Sequence, residues 1–341
     1  MSIDIVAKSF SNSLKILGID HIVLSRKVIK KYITKNVGGG DRVLHVLANA
    51  ILLNKVRVCR KSVYGNPMWS FNGVTILYEV KNFREFEYCV IDRDEECFND
   101  VTETIARYLK LIMPMKPLII VDLSLFELHH DMELKVLVKQ LVLAINTIRL
   151  WLTDLHIAIV NMPLYFNPLL NKISTLARIC YDDSLYKTIE LERAVLLDPY
   201  ADEALTSQDI LSNDYFIIGG IVDRKFSRPY ATSMLLALNN LDIKSKSIRL
   251  GSSAIGVPNE LNKIVDIVMR VRFLGESLES AIISNMSVDD KISRIVYEVR
   301  KRYSKDRVIS KDIISKLMKS YSLEERYMNR ILLRLKDFNI I

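Results

Sequence analysis

Three aspartates in this chain each stand at the end of a short apolar run, and chemistry is expected there first. Asp122 lies in PLIIVDL (117–123), Asp198 follows AVLL (194–197), and Asp223 ends YFIIGGIVD (215–223). A carboxylate at the mouth of a buried strand can take a proton, steady a positive charge or orient a polar ligand. Gly219-Gly220 separate the third run from its acid, and paired glycines let the backbone turn and a ligand approach with no Cβ in the way. A second glycine-bearing stretch, RLGSSAIGVPNELN (249–262), lies downstream. Gln140 sits within an apolar helical pattern, where its amide must find a partner on a neighbouring loop or a ligand. Each acid also has a purely structural reading: a helix N-cap for Asp122 and Asp223, a turn for Asp198-Pro199.

These residues need a scaffold. Apolar, β-branched runs at 117–123, 155–160, 194–197, 215–221 and 247–250 read as strands, and 132–149, 168–179, 232–241 and 259–272 read as helices. Such alternation predicts a mostly parallel sheet with helices on both faces, and ligands at the carboxyl ends of its strands. No GxGxxG follows the first strand, which argues against a nicotinamide site. Residues 1–98 read as an α+β domain with a helix at 11–35 and strands at 55–63 and 74–80. Gly38-Gly39-Gly40-Asp41 reads as a turn, because no strand leads into it and no GK[ST] closes it. Residues 287–341 read as three helices, begun by Ser287 with Asp290, by Ser310, and by Ser322 with Glu325. His129-His130 reads as an exposed helix start, since neighbouring helical positions point apart and share a metal ion poorly.

The 341 residues are 50% hydrophobic and 26% charged, a globular balance with room for more than one domain. The apolar stretch 136–160 is broken by Lys139, Gln140, Asn146, Arg149 and Asp154, so no membrane span is expected. The opening MSIDIVAKSF lacks a signal peptide's apolar core, and Cys59, Cys89, Cys97 and Cys180 show no CxxC spacing. A cytoplasmic protein with reduced thiols and no metal site is the expectation. The net charge of +8 divides as +5 over 1–98, −3 over 99–286 and +6 over 287–341. Basic flanks around a slightly acidic centre suit a polyanion such as RNA, though solvated helix faces give the same pattern. Tyr64 and Trp69 either stack on bases or fill a small core.

At VDLS (121–124), Gln140, LLDP (196–199), IIGGIVD (217–223) and RLGSSAIGVPNELN (249–262), in this order and spacing, the chain resembles the archaeal tRNA purine-9 N1-methyltransferases of the SPOUT class. The resemblance covers most of 99–286. It implies an α/β fold with a parallel sheet and a C-terminal trefoil knot, flanked by a basic α+β N-terminal domain (1–98) and a basic helical C-terminal module (287–341). It also implies S-adenosylmethionine as cofactor, tRNA as substrate, and a monomer. Leu196, Leu197, Asp198, Gly219, Gly220, Leu250, Gly251, Ser252, Gly256 and Pro258 are then expected around the cofactor, with Asp223, Gln140, Asp198 and Asp122 facing the reaction. Arg224-Lys225 stand where many eukaryotic relatives carry an asparagine after the aspartate. Other readings are a SPOUT methyltransferase for another RNA position, or a non-catalytic RNA-binding protein of the same fold.

Overall fold

A computed structural model describes residues 4–33, 38–166, 173–222 and 228–341. The chain divides into two compact units. The first comprises Met1–Lys116, Ile148–His156 and Asn171–Arg178; the second comprises Pro117–Thr147, Ile157–Leu170 and Ile179–Ile341.

In the first unit, β1 (His21–Leu24), β2 (Val56–Phe71), β3 (Val74–Glu79) and β4 (Arg84–Asp92) close into a barrel in the order β1-β3-β2-β4. Helices α1 (Ile5–Ile16), α2 (Gly40–Leu52) and α3 (Thr102–Ile112) belong to the same unit. Asn72 and Gly73, both at positive φ, make the tight turn between β2 and β3. The helix expected at 11–35 stops at Ile16, because Gly18 takes φ +72° and the β-branched run HIVL pairs with β3 instead. Strand β4 and helix α2 were not read from the sequence: alternating charges mask the first, and the second begins at Gly40 with Gly39 as its N-cap, with no side-chain cap to announce it. Cys59 and Cys97 are not reduced thiols. Their Cα atoms lie 5.8 Å apart and the sulfurs are bonded, a pairing that a 38-residue separation without a motif does not announce. Cys89 and Cys180 are free.

The larger sheet has six strands, β5 (Leu118–Asp122), β6 (Ile157–Val160), β7 (Arg178–Ile179), β8 (Ala194–Leu197), β9 (Tyr215–Gly219) and β10 (Lys244–Lys246), ordered β10-β8-β9-β5-β6-β7; all but Arg178 belong to the second unit. The pairs β10–β8, β8–β9, β9–β5 and β5–β6 are all parallel. Every residue of β5, β6 and β8 is buried, as strands covered on both faces require. Ile120, Leu196 and Ile217 are fully buried in one cluster, each contributing on the order of 1.5–3 kcal/mol by leaving water. The helices are α4 (Asp131–Trp151), α5 (Ser207–Ser212), α6 (Met234–Leu238), α7 (Leu261–Met269), α8 (Leu278–Asn285), α9 (Val288–Tyr303), α10 (Lys311–Ser320) and α11 (Met328–Arg334). α4 runs across the division of the chain at residue 147.

Several expectations are corrected here. The last sheet strand is the polar Lys244–Lys246, not 247–250, where only isolated bridges form. Of the helix expected at 168–179, residues 168–172 lie outside the described residues, and 173–179 are non-helical, ending in β7. Ser287 and Asp290 form the expected capping box of α9, and Ser310 caps α10. Ser322 does not cap α11. It sits in a turn at φ +49°, and a 3₁₀ turn at Glu325–Tyr327 leads into the helix.

Candidate cofactor and substrate site

Strands β8 and β9 end side by side, with Leu196 opposite Ile217 and Leu197 opposite Ile218. Just past these ends lies a cavity of about 330 Å³. Leu197, Asp198, Pro199 and Tyr200 form one wall and Ile218, Gly219 and Ile221 another. Ala254, Val257, Pro258 and Asn259, from the loop ahead of α7, complete it with Arg228 and Thr232. The lining is mostly apolar, with a few convergent polar groups, as small-molecule sites are.

Four of the expected residues, Leu197, Asp198, Gly219 and Pro258, line this cavity. Asp198 is buried, and its Oδ1 accepts from Tyr200 N–H (3.0 Å). Burial raises its pKa above the usual carboxylate value, the Tyr200 bond opposing that only partly. Leu196, one residue earlier, points into the core instead. Leu250, Gly251, Ser252 and Gly256 belong to the loop that carries Ala254, Val257 and Pro258, without lining the cavity themselves. Gly220 serves close packing: its N–H donates to Asp122 O (2.8 Å), and a Cβ there would lie 2.3 Å from Leu123 Cδ2. Glycine lets the chain leave β9 this near β5 without displacing Leu123.

Asp122 is 1% exposed and lies within a polar cluster. Oδ1 accepts from Ser124 N–H (2.7 Å), Ser124 Oγ–H (2.6 Å) and Asn161 Nδ2 (3.2 Å). Oδ2 accepts from the Tyr186 hydroxyl (2.6 Å) and Asn239 Nδ2 (3.0 Å). Burial, and then the nearby Asp122 charge, push the Tyr186 phenol far above its ordinary pKa, so it stays a donor. Gln140 Oε1 accepts from the backbone N–H of Leu261 (3.3 Å), tying α4 to the first turn of α7.

Asp223 lies outside the described residues, but the described residues that flank 223–227 are held by hydrogen bonds. Val222 N–H donates to His129 Nε2 (2.9 Å), and His129 Nδ1–H donates to Phe126 O (2.9 Å), which fixes the tautomer. Arg228 donates to Val222 O (3.2 Å), Leu128 O (2.6 Å) and Glu133 Oε2 (2.8 Å). His129 is therefore a buried brace rather than an exposed helix start. Among the described residues no cluster of side chains has metal-ligating geometry. Sequence reasoning missed Tyr200, Arg228 and Asn259. Tyr200 and Asn259 each adjoin a motif, LLDP and GVP, whereas Arg228 carries no signal of its own.

Fold and site together define an α/β protein with a ligand pocket at the carboxyl ends of parallel strands. The proteins this chain is similar to are methyltransferases. Residues 139–257 match the family model described as Protein arginine N-methyltransferase SFM1-like. The chain is 35% identical over 195 residues to the tRNA (adenine(9)-N1)-methyltransferase of Sulfolobus acidocaldarius, a match spanning 57% of this chain and 63% of that protein. It is 32% identical to the tRNA (guanine(9)-/adenine(9)-N1)-methyltransferase of Thermococcus kodakarensis, over 27% of this chain and 25% of that one. The crystal structure of Sulfolobus acidocaldarius Trm10 in complex with S-adenosylhomocysteine superposes with a TM-score of 0.66 at 25% identity, covering 96% of this chain and 98% of that one. The resemblance read from the motifs to purine-9 N1-methyltransferases is thereby borne out.

Proposed function

We propose that this protein is an S-adenosylmethionine-dependent methyltransferase acting on N1 of purine 9 in tRNA. The observation that carries the reading is the convergence of LLDP, the end of β9 and the GVPN loop on one pocket. Its volume, apolar walls and buried acid suit a nucleoside with a cationic substituent. A positive charge beside Asp198 relieves the cost of burying its carboxylate. When bound, the cofactor supplies an electrophilic methyl group. The protein's task is then chiefly positioning, which can supply about 7–11 kcal/mol at best.

Leu197, Ile218, Val257 and Pro258 hold the cofactor and keep water away. His129 and Arg228 fix the residues flanking 223–227, so that Asp223 follows a rigid Val222. The role of Asp223 depends on the acceptor. Guanine N1 carries a proton that a carboxylate can remove; adenine N1 offers a lone pair, and its cationic product is stabilised by a carboxylate. Adenine is the first acceptor to test, since both relatives named above act on it.

We read the excursion that takes the chain from β9 to β10, on the far side of β8, as the closing part of a trefoil knot. The basic segments 1–98 and 287–341 are read as RNA grips on either side of a 99–286 catalytic domain. No helix of the described residues is long and apolar enough to cross a membrane, consistent with action on tRNA in the cytoplasm.

The deciding experiment is methylation of two tRNA transcripts differing only at position 9, with mapping of the modified base, over a pH series. Modification of A9, G9 or both supports the proposal; modification elsewhere in the RNA, or none, overturns it. The SFM1-like match favours one second reading, methyl transfer to a protein arginine. Labelled cofactor incubated with cell protein and with tRNA separates the two by where the label appears.

A further inference from the structure

The wall of the pocket formed by 254–258 is backed by the C-terminal helices. Arg294 of α9 is 6% exposed. Its Nη1 donates to Ser253 O (3.4 Å) and Ile255 O (3.3 Å), both carbonyls of that loop. Its Nε donates to Glu298 Oε1 (3.0 Å) and approaches the Tyr321 hydroxyl (3.4 Å), which also bonds Glu298. Gly256, at φ +77°, presses on the same helix: a Cβ there would lie 2.7 Å from Asp290 O and 2.9 Å from Arg294 Cβ. Two further contacts join the layers. Lys301 Nζ donates to Ser252 Oγ (3.1 Å), and Lys263 of α7 lies 3.6 Å from the Asp290 carboxylate.

A surface helix docked by apolar contact alone would need none of this. A buried guanidinium divided between loop carbonyls and one carboxylate sets the height of the loop over the pocket, because its rigid fork fixes several acceptors at once. We infer that the C-terminal helices form part of the cofactor site, with Arg294 as a positioning residue that holds the 250–258 loop against the pocket; this rests on the methyl-transfer reading above. The helices therefore act on cofactor affinity through Arg294, Glu298 and Tyr321.

The test uses full-length protein with Arg294→Met, Arg294→Lys and Tyr321→Phe. S-adenosylhomocysteine binding is followed by calorimetry, tRNA binding by gel shift, and KM for the cofactor alongside kcat. Arg294→Met is expected to weaken the cofactor tenfold or more, raising its KM while kcat at saturation falls less than threefold. Arg294→Lys should recover only part of this, since one ammonium cannot span the carbonyls and Glu298. Tyr321→Phe, which removes a single hydroxyl far along the chain from the pocket, should weaken the cofactor two- to fivefold, and it decides the matter if Arg294→Met does not fold. Cofactor affinity within twofold of wild type in folded Arg294→Met, or in Tyr321→Phe if that variant alone folds, overturns the inference. Failure of the wild-type protein to bind the ligand at all overturns instead the methyl-transfer reading on which it rests.

Discussion

Replacing Asp122 by Asn separates a carboxylate that holds the fold from one that does chemistry. The carboxylate accepts five hydrogen bonds at 2.6–3.2 Å and is 1% exposed. In the variant the amide oxygen can keep the partners of Oδ1, but the new NH₂ group faces the Tyr186 hydroxyl and Asn239 Nδ2. The hydroxyl can turn and accept. Asn239 cannot, because its Nδ2 also bonds Leu235 O and its Oδ1 already accepts from Asn161. One or two charge-assisted bonds are lost at about 2 kcal/mol each, so the expected loss of stability is roughly 2–4 kcal/mol. For a unit of this size that lowers the melting temperature by about 4–16 °C. Urea unfolding measures the stability, and cofactor binding and tRNA methylation are assayed well below the melting point. The reasoning requires a large stability change with activity per folded molecule reduced less than about fivefold. A variant as stable as wild type but inactive would refute it and move Asp122 into the chemistry.

Asp223→Asn should reduce methylation by about 10²-fold or more with cofactor affinity unchanged, and for a guanine acceptor it should also abolish the rise of rate with pH. Gly220→Ala forces a Cβ to within 2.3 Å of Leu123 Cδ2, and this overpacking should cost about 1–3 kcal/mol, readable by denaturant titration. His45 is buried with its Nε2 on Arg149 O, and burial lowers its pKa to about 4. Its folded pKa lies below the unfolded value, so the neutral ring's contribution is intact above pH ~6.5 and is lost as pH falls toward 4, by up to about 3 kcal/mol. His45→Gln should flatten that part of the stability–pH curve relative to wild type, and parallel curves for the two proteins would argue against it.

The sequence was most legible where burial is complete. AVLL is strand β8 residue for residue, and YFIIG opens the run expected at 215–221, because a strand covered on both faces must be apolar throughout. The caps of α9 and α10 were legible because Ser287, Asp290 and Ser310 act on their own backbone within three residues. What escaped depends on distant partners. The edge strand Lys244–Lys246 is polar, so hydrophobic patterning placed the strand three residues late. Asp122 was a candidate for chemistry because Asn161, Tyr186 and Asn239, its partners in space, lie 39, 64 and 117 residues away. Arg294 went unnoticed as one cation among many in a basic helix, although it is buried and most of the others are not.

The closed barrel of β1–β4 bears on how partners can be met. Each of its four strands is paired on both sides, so it offers no free main-chain edge. The six-stranded sheet ends in strands of only three and two residues, β10 and β7, too short to template much pairing. Neither of these two sheets is therefore suited to recruiting a partner by adding a strand. If the basic segments grip RNA as proposed, the contact is made by arginine and lysine side chains, and a contact of that kind weakens steeply as salt is added, while β-augmentation through backbone hydrogen bonds does not.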